Sequence, residues 1–208
     1  MFATYPKINT LFKREEKKPC RIIVGDYTHP EFENIKTWQV QEKVNGTNIR
    51  IFWDGYSVYF GGRTDNAQLS TLLLLELQNI FTVDRMREVF PDTPSSGVIL
   101  FGEGYGAGIQ SGGNYRPTPS FILFDIKVAH WWLQRDTCVE IAYKLSIPIV
   151  PLIHQSMQTQ DIIDYVKGKP KSECSIIEQQ SEGIVAKTDL LMRNGARLWF
   201  KLKARDFE

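Results

Sequence analysis

The sequence predicts an α+β fold built on antiparallel sheets with flanking helices. Apolar residues follow a strand-like alternation from Thr37 onward, and this pattern returns near the end of the chain. Asp54-Gly55 and Asn194-Gly195 are dipeptides typical of tight hairpin turns, which join antiparallel strands. Strands come first and a mixture of helices and strands follows, an order that favours α+β over a parallel βαβ fold. No linker rich in proline, glycine or serine divides the 208 residues, so we expect a single domain.

The first half of the chain predicts strands followed by helices. Its strands are indicated by largely alternating apolar residues: Trp38, Val40, Ile49, Ile51, Trp53, Val58 and Phe60. Asn45-Gly46 predicts a further two-residue hairpin turn, as this dipeptide does by default. Helical spacing from Gln68 to Phe90 predicts a helix broken near Thr82, and residues 91–97 (PDTPSSG) predict a loop.

The second half predicts a mixture of elements. Val98–Phe101 is a short buried strand, and the glycine-rich segment GEGYGAGIQSGGNYRP follows it. The remaining predicted strands are Ser120–Val128, Ile149–Ile153, Gly183–Lys187 and Arg197–Lys203, and the remaining helices are Gln134–Leu145 and Asp161–Lys167. The last two strands would pair through the turn at Asn194-Gly195.

The composition excludes several classes of protein. The chain is 42% hydrophobic and 24% charged, as in folded globular proteins rather than disordered ones. Its formal net charge of +1 gives no evidence of nucleic-acid binding, so any basic surface must come from local clustering. No apolar run is long enough to span a membrane, and the first residues lack the apolar core of a signal peptide. Three cysteines without a C-x-x-C pair predict no disulfide framework or zinc site, and they favour the cytoplasm or another reducing compartment.

Several charged residues lie at the ends of predicted strands. Lys43 precedes Asn-Gly, Glu103 ends the strand VILFGE, and Glu182 begins the strand EGIVAK. Lys201 and Lys203 are two residues apart on one strand, so both should project from the same face. Each residue alone could be a solvated charge. The two lysines together could also protect the edge of a sheet.

Glycines surround one of these charges. Gly102, Gly104, Gly106 and Gly108 flank Glu103, and glycine lets the backbone approach a ligand closely. The segment lacks the spacing and the βαβ context of a dinucleotide fingerprint, and the chain contains no P-loop sequence. Any nucleotide site must therefore be of another kind.

Six short motifs occur in one order along the chain: K-V-N-G-T-N from Lys43, G-R-T from Gly62, F-G-E from Phe101, F-D-I from Phe124, E-G-I-V from Glu182 and K-L-K from Lys201. This order resembles that of the covalent nucleotidyltransferases, the superfamily of polynucleotide ligases and mRNA-capping enzymes. The signature of the superfamily is usually K-x-D-G, and here Asn45 replaces the aspartate, so its role stays open. G-T-N, and G-x-G-I-Q after F-G-E, are similar to the RNA ligases grouped with the second RNA ligase of T-even phages and the kinetoplastid RNA-editing ligases. The resemblance extends from about Thr37 to Arg205.

The resemblance implies a three-step reaction that uses ATP and Mg²⁺ or Mn²⁺. Lys43 would attack the α-phosphorus of ATP, AMP would move to the 5′-phosphate of a nucleic acid, and a 3′-hydroxyl would displace AMP to seal the ends. A free lysine has a pKa near ~10.4, so the nucleophile needs surroundings that favour its neutral form. The implied partner is a nucleic acid with 5′-phosphate and 3′-hydroxyl ends, RNA first. A DNA ligase, a GTP-using capping-type enzyme and a binding module without catalysis remain the alternatives.

The resemblance also implies roles for individual residues. Lys201 and Lys203 would contact the α-phosphate, and Glu182 would help to hold the metal through water. Glu103 would bind the ribose hydroxyls, and Phe124 would stack on adenine unless it is an ordinary core residue. The other implied nucleotide-binding positions are Glu42 near the adenine edge, Val44, and Asn48 and Arg63 around the ribose and phosphates.

The position of the last motif implies a domain organisation. K-L-K lies only a few residues before Glu208. We therefore expect residues 1–208 to form one adenylation domain, without the C-terminal OB-fold or helical domain that many relatives carry.

Overall fold

The computed structural model describes residues 3–17, 20–110, 115–191 and 195–208. The chain forms two compact units. Unit 1 comprises Met1–Pro6 and Asn45–Val150, and unit 2 comprises Lys7–Val44 and Pro151–Glu208. None of the helices in the described ranges has the length and hydrophobicity that a membrane span requires.

The described strands and helices confirm the predicted α+β class. In chain order the strands are β1 (Phe12–Arg14), β2 (Ile22–Tyr27), β3 (Thr37–Glu42), β4 (Thr47–Trp53), β5 (Val58–Gly61), β6 (Val98–Tyr105), β7 (Ser120–Val128), β8 (Trp131–Trp132), β9 (Leu152–Gln158), β10 (Gly183–Leu191) and β11 (Arg197–Lys203). The α-helices are α1 (Thr71–Ile80), α2 (Val83–Val89), α3 (Arg135–Leu145) and α4 (Thr159–Lys167), and Pro30–Asn34 and Ala204–Phe207 form 3₁₀ turns. All pairs between these strands are antiparallel.

Unit 1 contains a five-stranded sheet in the order β5-β4-β6-β7-β8. Ile49, Ile51 and Trp53 alternate along β4 and are completely buried, as the period of two requires of a strand with one face in a core. Each such side chain contributes about 1.5–3 kcal/mol through burial. The Thr82 hydroxyl accepts a hydrogen bond from the Arg85 amide at the start of α2, which confirms the predicted break between α1 and α2.

Unit 2 contains a four-stranded sheet in the order β11-β10-β3-β9 and the two-stranded sheet β1-β2. Its core includes Trp38 of β3, Phe200 of β11 and Ile162 of α4. The end of the larger sheet is extended by an N-terminal segment, because the Lys201 amide donates to the Asn9 carbonyl at 2.9 Å. This contact brings the segment around Asn9 and the last strand together within unit 2.

Two predictions about elements need correction, and two strands were not predicted. Asn45-Gly46 is not a hairpin turn, since β3 pairs with β9 and β10 while β4 pairs with β5 and β6 in another sheet. The Asn-Gly dipeptide predicted that β3 would pair with β4, but tertiary packing pairs each of them with other strands. The strand predicted at Ile149–Ile153 begins only at Leu152, and Ile149 forms an isolated bridge with Leu123. Strands β1 and β2 were not predicted, and Asn194 of the last turn lies outside the described residues.

Candidate active site

Lys43, Glu182 and Lys203 form an ion-pair cluster in unit 2. Lys43 follows the end of β3, Glu182 precedes β10 and Lys203 ends β11. Because β10 lies between β3 and β11 in an antiparallel sheet, these three strand ends lie side by side at the same end of the sheet. Lys43 Nζ lies 2.5 Å from Glu182 Oε2, and Lys203 Nζ lies 2.5 Å from Glu182 Oε1. One carboxylate therefore binds two lysines that are 160 positions apart in the numbering of the chain.

The backbone beside Glu182 fixes this cluster. The Lys43 amide donates to the Gly183 carbonyl at 2.9 Å, and the Ser181 hydroxyl donates to the same carbonyl at 2.9 Å. Gly183 has a φ of +152°, and a Cβ atom there would collide with the Leu202 carbonyl. The glycine of the E-G-I-V motif is thus required for the close approach of β10 and β11 next to the glutamate.

The electrostatics of the cluster keep Glu182 ionised. Burial alone raises the pKa of this carboxyl group, but the charges and hydrogen bonds of Lys43 and Lys203 lower it further than burial raises it. The net effect is a pKa below the usual value for glutamate. The three side chains are partly buried, with 15–21% of their surface exposed, so water screens the pairs only in part.

Lys201 shares a strand face with Lys203. Leu202 between them is completely buried, as the alternation along β11 requires. The outer edge of β11 is paired at Lys201, because its carbonyl also accepts from the Leu11 amide at 3.3 Å. This backbone pairing covers the edge and weakens the interpretation of the lysines as edge protection.

The Glu42 carboxylate accepts hydrogen bonds from a loop of unit 2. Glu42 is 2% exposed, and its oxygens accept from the Ser172 hydroxyl at 2.5 Å and the Glu173 amide at 2.8 Å. Burial, with the Glu42 charge adding to it, raises the pKa of the Cys174 thiol. Val44 is also buried. Contacts of Glu42 and Val44 with a nucleotide stay predictions, and the described contacts of Glu42 are structural.

Asn48 and Glu103 face each other across β4 and β6 of unit 1. They are direct partners in the register of the two strands. Asn48 Oδ1 is buried and has no hydrogen-bond partner in the described parts of the chain. A buried acceptor without a partner costs about 1–3 kcal/mol, so a ligand hydroxyl or amine that reached it would bind favourably.

Gly46, the glycine of the K-V-N-G motif, lies close to β6 within unit 1. A Cβ atom at Gly46 would collide with the Gly104 carbonyl and would come within 2.9 Å of Glu103 Cγ. The glycine of this motif is therefore required by the same strand that carries the predicted ribose-binding glutamate. The chain passes from unit 2 to unit 1 between Val44 and Asn45, inside the motif.

Phe124 lies at a β-bulge. The register changes from Phe101 opposite Asp125 to Gly102 opposite Leu123, so Phe124 is the extra residue of β7. A bulge can redirect a side chain away from the regular face of a sheet. Phe124 is half-buried and contacts the Tyr5 ring edge-on, with 4.8 Å between ring centroids.

Phe121, on the same strand, provides the contrast. It is completely buried and packs against Phe81 with 5.3 Å between ring centroids. The bulge and the partial exposure distinguish Phe124 from this core residue. They favour the stacking interpretation of Phe124, which stays a prediction.

Arg63 is exposed, and a neighbouring arginine that the sequence reasoning missed organises its loop. Arg50 on β4 is completely buried and donates to the Gly62 carbonyl at 2.6 Å and to Asp65 at 2.9 Å. In the sequence, Arg50 is marked only as a charged residue between two isoleucines. Arg50 holds the Gly62 carbonyl before Arg63 and the Asp65 carboxylate after it.

The described residues do not form a ready-made metal site. Within the described ranges, no group of three or more histidine, cysteine, aspartate or glutamate side chains could hold a metal ion. Glu182 supplies one carboxylate beside two lysines. Mg²⁺ is often bound by one or two carboxylates together with substrate phosphates and water. The residues therefore fit a metal ion that is bound mainly by nucleotide phosphates.

Comparisons with known proteins identify a family and solved structures of similar fold. A protein-family model described as RNA ligase matches residues 36–203. No curated protein sequence is significantly similar to the chain. A mutant RNA ligase of Naegleria gruberi with ATP and Mn has 15% identity and a TM-score of 0.65, and the match covers 100% of this chain and 61% of that chain. A second mutant, with AMP and Mn, has 15% identity and a TM-score of 0.66, with coverage of 98% and 58%.

The same Naegleria ligase with PPi has 16% identity and a TM-score of 0.64, with coverage of 98% and 62%. The chain thus spans less than two thirds of the length of these solved structures. At this identity the similarity concerns the fold, and the α+β arrangement of antiparallel sheets with helices is the one these structures share.

Proposed function

The chain belongs to the RNA ligase family, and from that premise we propose that it is an ATP-dependent RNA ligase that forms a covalent lysyl-AMP on Lys43. It then transfers AMP to the 5′-phosphate of an RNA and joins that phosphate to a 3′-hydroxyl. Within the family, the motifs G-T-N and G-x-G-I-Q favour the group that contains the second RNA ligase of T-even phages and the RNA-editing ligases. The solved relatives with ATP, AMP, Mn or PPi support this choice of nucleotide and metal.

The observation that carries the proposal is the cluster of Lys43, Glu182 and Lys203 at the meeting of three strand ends. It places the one lysine of the K-x-x-G motif beside a second lysine and an ionised carboxylate. A solvated surface charge would not require the backbone fit at Gly183. A nucleophile at a phosphorus atom does require a fixed position and nearby positive charge.

The first step follows from this geometry. An N–P bond forms between Lys43 Nζ and the α-phosphorus, the P–O bond to pyrophosphate breaks, and pyrophosphate carries away the bonding electron pair. Only a neutral amine can attack, so the Lys43 ammonium must first leave Glu182 and lose one proton to solvent, and the nitrogen loses a second proton to solvent as the N–P bond forms. Lys201 and Lys203 would stabilise the negative charge on the phosphate oxygens.

The candidate site residues of unit 1 would recognise the nucleoside. The unpartnered Asn48 Oδ1 fits a ribose hydroxyl or another ligand donor, and the Glu103 carboxylate opposite it fits a diol. Phe124, at the bulge, would stack on adenine. Arg63 would contact a phosphate from the loop that Arg50 fixes.

The metal ion would be held by ATP phosphates, with Glu182 contributing through water. Bound there, Mg²⁺ or Mn²⁺ would neutralise charge on the triphosphate and on the departing pyrophosphate.

Transfer of label from ATP to the protein tests the proposal. With ATP labelled at the α-phosphate and Mg²⁺, the wild type should become labelled and Lys43→Ala should not. Lys36→Ala is the matched control, because Lys36 is an exposed lysine of unit 2 outside the cluster. Equal labelling of Lys43→Ala and the wild type would contradict the assignment, and absence of label on all proteins would support a binding module instead.

The same assay separates the remaining alternatives. Labelling by GTP in preference to ATP would indicate a capping-type enzyme. Sealing of nicked RNA in preference to nicked DNA, measured on parallel substrates, is the expected result, and the opposite preference would indicate a DNA ligase.

A further inference from the structure

A strongly basic groove lies in unit 2 beside the lysine cluster. It has a volume of about 700 Å³. Its cationic lining residues come from the N-terminal segment and from the last strand and turn: Lys7, Lys13, Arg14, Lys201, Lys203 and Arg205. Asp206 is the only carboxylate among the described lining residues. Since the whole chain has 25 basic and 24 acidic residues, six cations against one anion is a local concentration of charge.

The groove is built by specific contacts. The Asn9 and Leu11 backbone groups pair with Lys201, which holds the N-terminal segment along β11. Arg14 and Asp206 form an ion pair at 2.5 Å, and the Asp206 carboxylate also accepts from the Lys203 amide at 2.8 Å. The buried Asp206 thereby connects the N-terminal strand β1 to the end of β11.

The charges of the groove are only partly compensated. Lys13 pairs with Asp26 on the exposed surface, and Lys203 pairs with Glu182. Lys7 and Arg205 are exposed, and within the described residues they form no ion pair with a carboxylate. Clustered like charges repel one another and cost stability unless a polyanion binds to them. This concentration of positive charge is therefore expected to serve a ligand.

The size and the lining of the groove indicate which anion it fits. A volume of this order suits a drug-sized ligand and exceeds what one phosphate or pyrophosphate ion needs. The aromatic residue of the lining, Phe12, is 2% exposed and cannot stack on a base. A groove lined by cations is suited to the phosphate backbone of a nucleic acid, and without an exposed aromatic ring it offers the bases no stacking surface.

We infer that this groove binds the phosphodiester backbone of the RNA strand that the protein seals, and that it does so by charge, without reading base sequence. The inference rests on the proposed ligase function. Lys201 and Lys203, which line the groove and also belong to the candidate active site, would make the groove continuous with the site of phosphate chemistry.

The test uses two lining residues that lie outside the catalytic cluster. Lys7→Gln/Arg205→Gln should bind a short single-stranded RNA with a 5′-phosphate about tenfold more weakly than the wild type, as measured by fluorescence anisotropy. The magnitude of the slope of log affinity against log salt should fall by roughly 1.4, because each of the two lost phosphate contacts on a single strand lowers it by about 0.7. Self-adenylylation with ATP should stay within about twofold of the wild type, because this step does not need RNA.

Two further variants are controls. Lys36→Gln/Lys171→Gln removes the same number of charges from exposed positions outside the groove. Its RNA affinity and salt slope should equal those of the wild type. Lys7→Arg/Arg205→Lys keeps the charge and should restore binding. Thermal unfolding of each variant shows whether it is folded. The melting temperature of Lys7→Gln/Arg205→Gln should be at or above the wild-type value, because the variant loses repulsion between like charges.

The outcomes separate the groove from the proposed function. Wild-type affinity and salt slope in Lys7→Gln/Arg205→Gln would overturn the inference. Slower self-adenylylation of this variant with unchanged RNA affinity would also overturn it, because the groove would then serve the triphosphate of ATP. Groove-dependent RNA binding by a wild type that never becomes adenylylated would support the groove and contradict the ligase function.

Discussion

The ion-pair cluster in unit 2 and the polar residues of unit 1 differ in whether their polar groups have partners within the protein. In unit 2, Glu182 binds Lys43 and Lys203 directly, so each charge has a partner in the protein itself. In unit 1, Asn48 Oδ1 is buried without a partner among the described residues, and Phe124 is half-exposed at a bulge. The first region is organised by its own ion pairs, whereas the second has binding capacity that a ligand can complete. Under the proposed function, the first region would be the reactive one and the second would recognise the nucleotide.

The largest expected effect comes from breaking the ion-pair cluster. Glu182→Gln keeps the shape of the side chain but leaves Lys43 and Lys203 without a carboxylate. We expect self-adenylylation to fall about 10²–10³-fold, the range for loss of one preorganised polar group in an active site. Glu33→Gln, an exposed carboxylate of unit 2, is the matched control. Adenylylation of Glu182→Gln at the wild-type rate would mean that the cluster is only structural.

Phe121 and Phe124 sharpen the distinction between core and recognition residues on one strand. Phe121→Ala should lower the free energy of unfolding by about 3–5 kcal/mol, because it removes a completely buried ring. Phe124→Ala should cost much less stability but should weaken ATP binding about tenfold, the effect expected for loss of a stacked base. Chemical denaturation and ATP titration measure the two effects. Equal loss of stability in both variants would place Phe124 in the core.

Asn48 tests whether the unpartnered acceptor in unit 1 serves a ligand. Asn48→Leu removes a buried oxygen that has no described partner, so the melting temperature should stay the same or rise. ATP affinity should fall by about tenfold, because the ligand loses a hydrogen bond in a buried site. A lower melting temperature with unchanged ATP affinity would contradict the assignment.

The smallest expected effect is the pH dependence of stability from Glu182. Its pKa in the folded protein is below the usual glutamate value, so its ion pairs stabilise the fold above the unfolded pKa of about 4.3. This stabilisation should be lost as the pH falls through the folded pKa. Because the pairs are partly exposed, we expect about 1 kcal/mol. Thermal unfolding of wild type and Glu182→Gln should differ at neutral pH and converge in acid, and a constant difference at every pH would contradict this account.

The sequence predicted the residues of the reactive region better than their surroundings. Lys43, Glu182 and Lys203 were identified because charges at strand ends stood in a motif order, and the structure brings these three together. The pairing of β3 with β10, a strand far along the chain, could not be inferred, because hydrophobic alternation specifies a strand but not its partner. For this reason Asn45-Gly46 was wrongly interpreted as a hairpin.

Other features depend on tertiary contacts that leave little local signal. The bulge at Phe124 arises from the register of β6 and β7, and the burial of Arg50 arises from the loop that it binds. The basic groove combines Lys7 with Arg205, residues at opposite ends of a chain whose net charge is only +1. Composition averages over such a cluster, and only the pairing of the N-terminal segment with β11 brings its members together.

The most direct test of the central claim is the location of the AMP adduct. After incubation with ATP and Mg²⁺, the protein would be digested and its peptides analysed by mass spectrometry with fragmentation. The account predicts one AMP group, attached to Lys43 through a phosphoramidate bond that acid releases. An adduct on Lys201, Lys203 or another residue, or an unmodified Lys43 in a protein that binds ATP, would contradict the account.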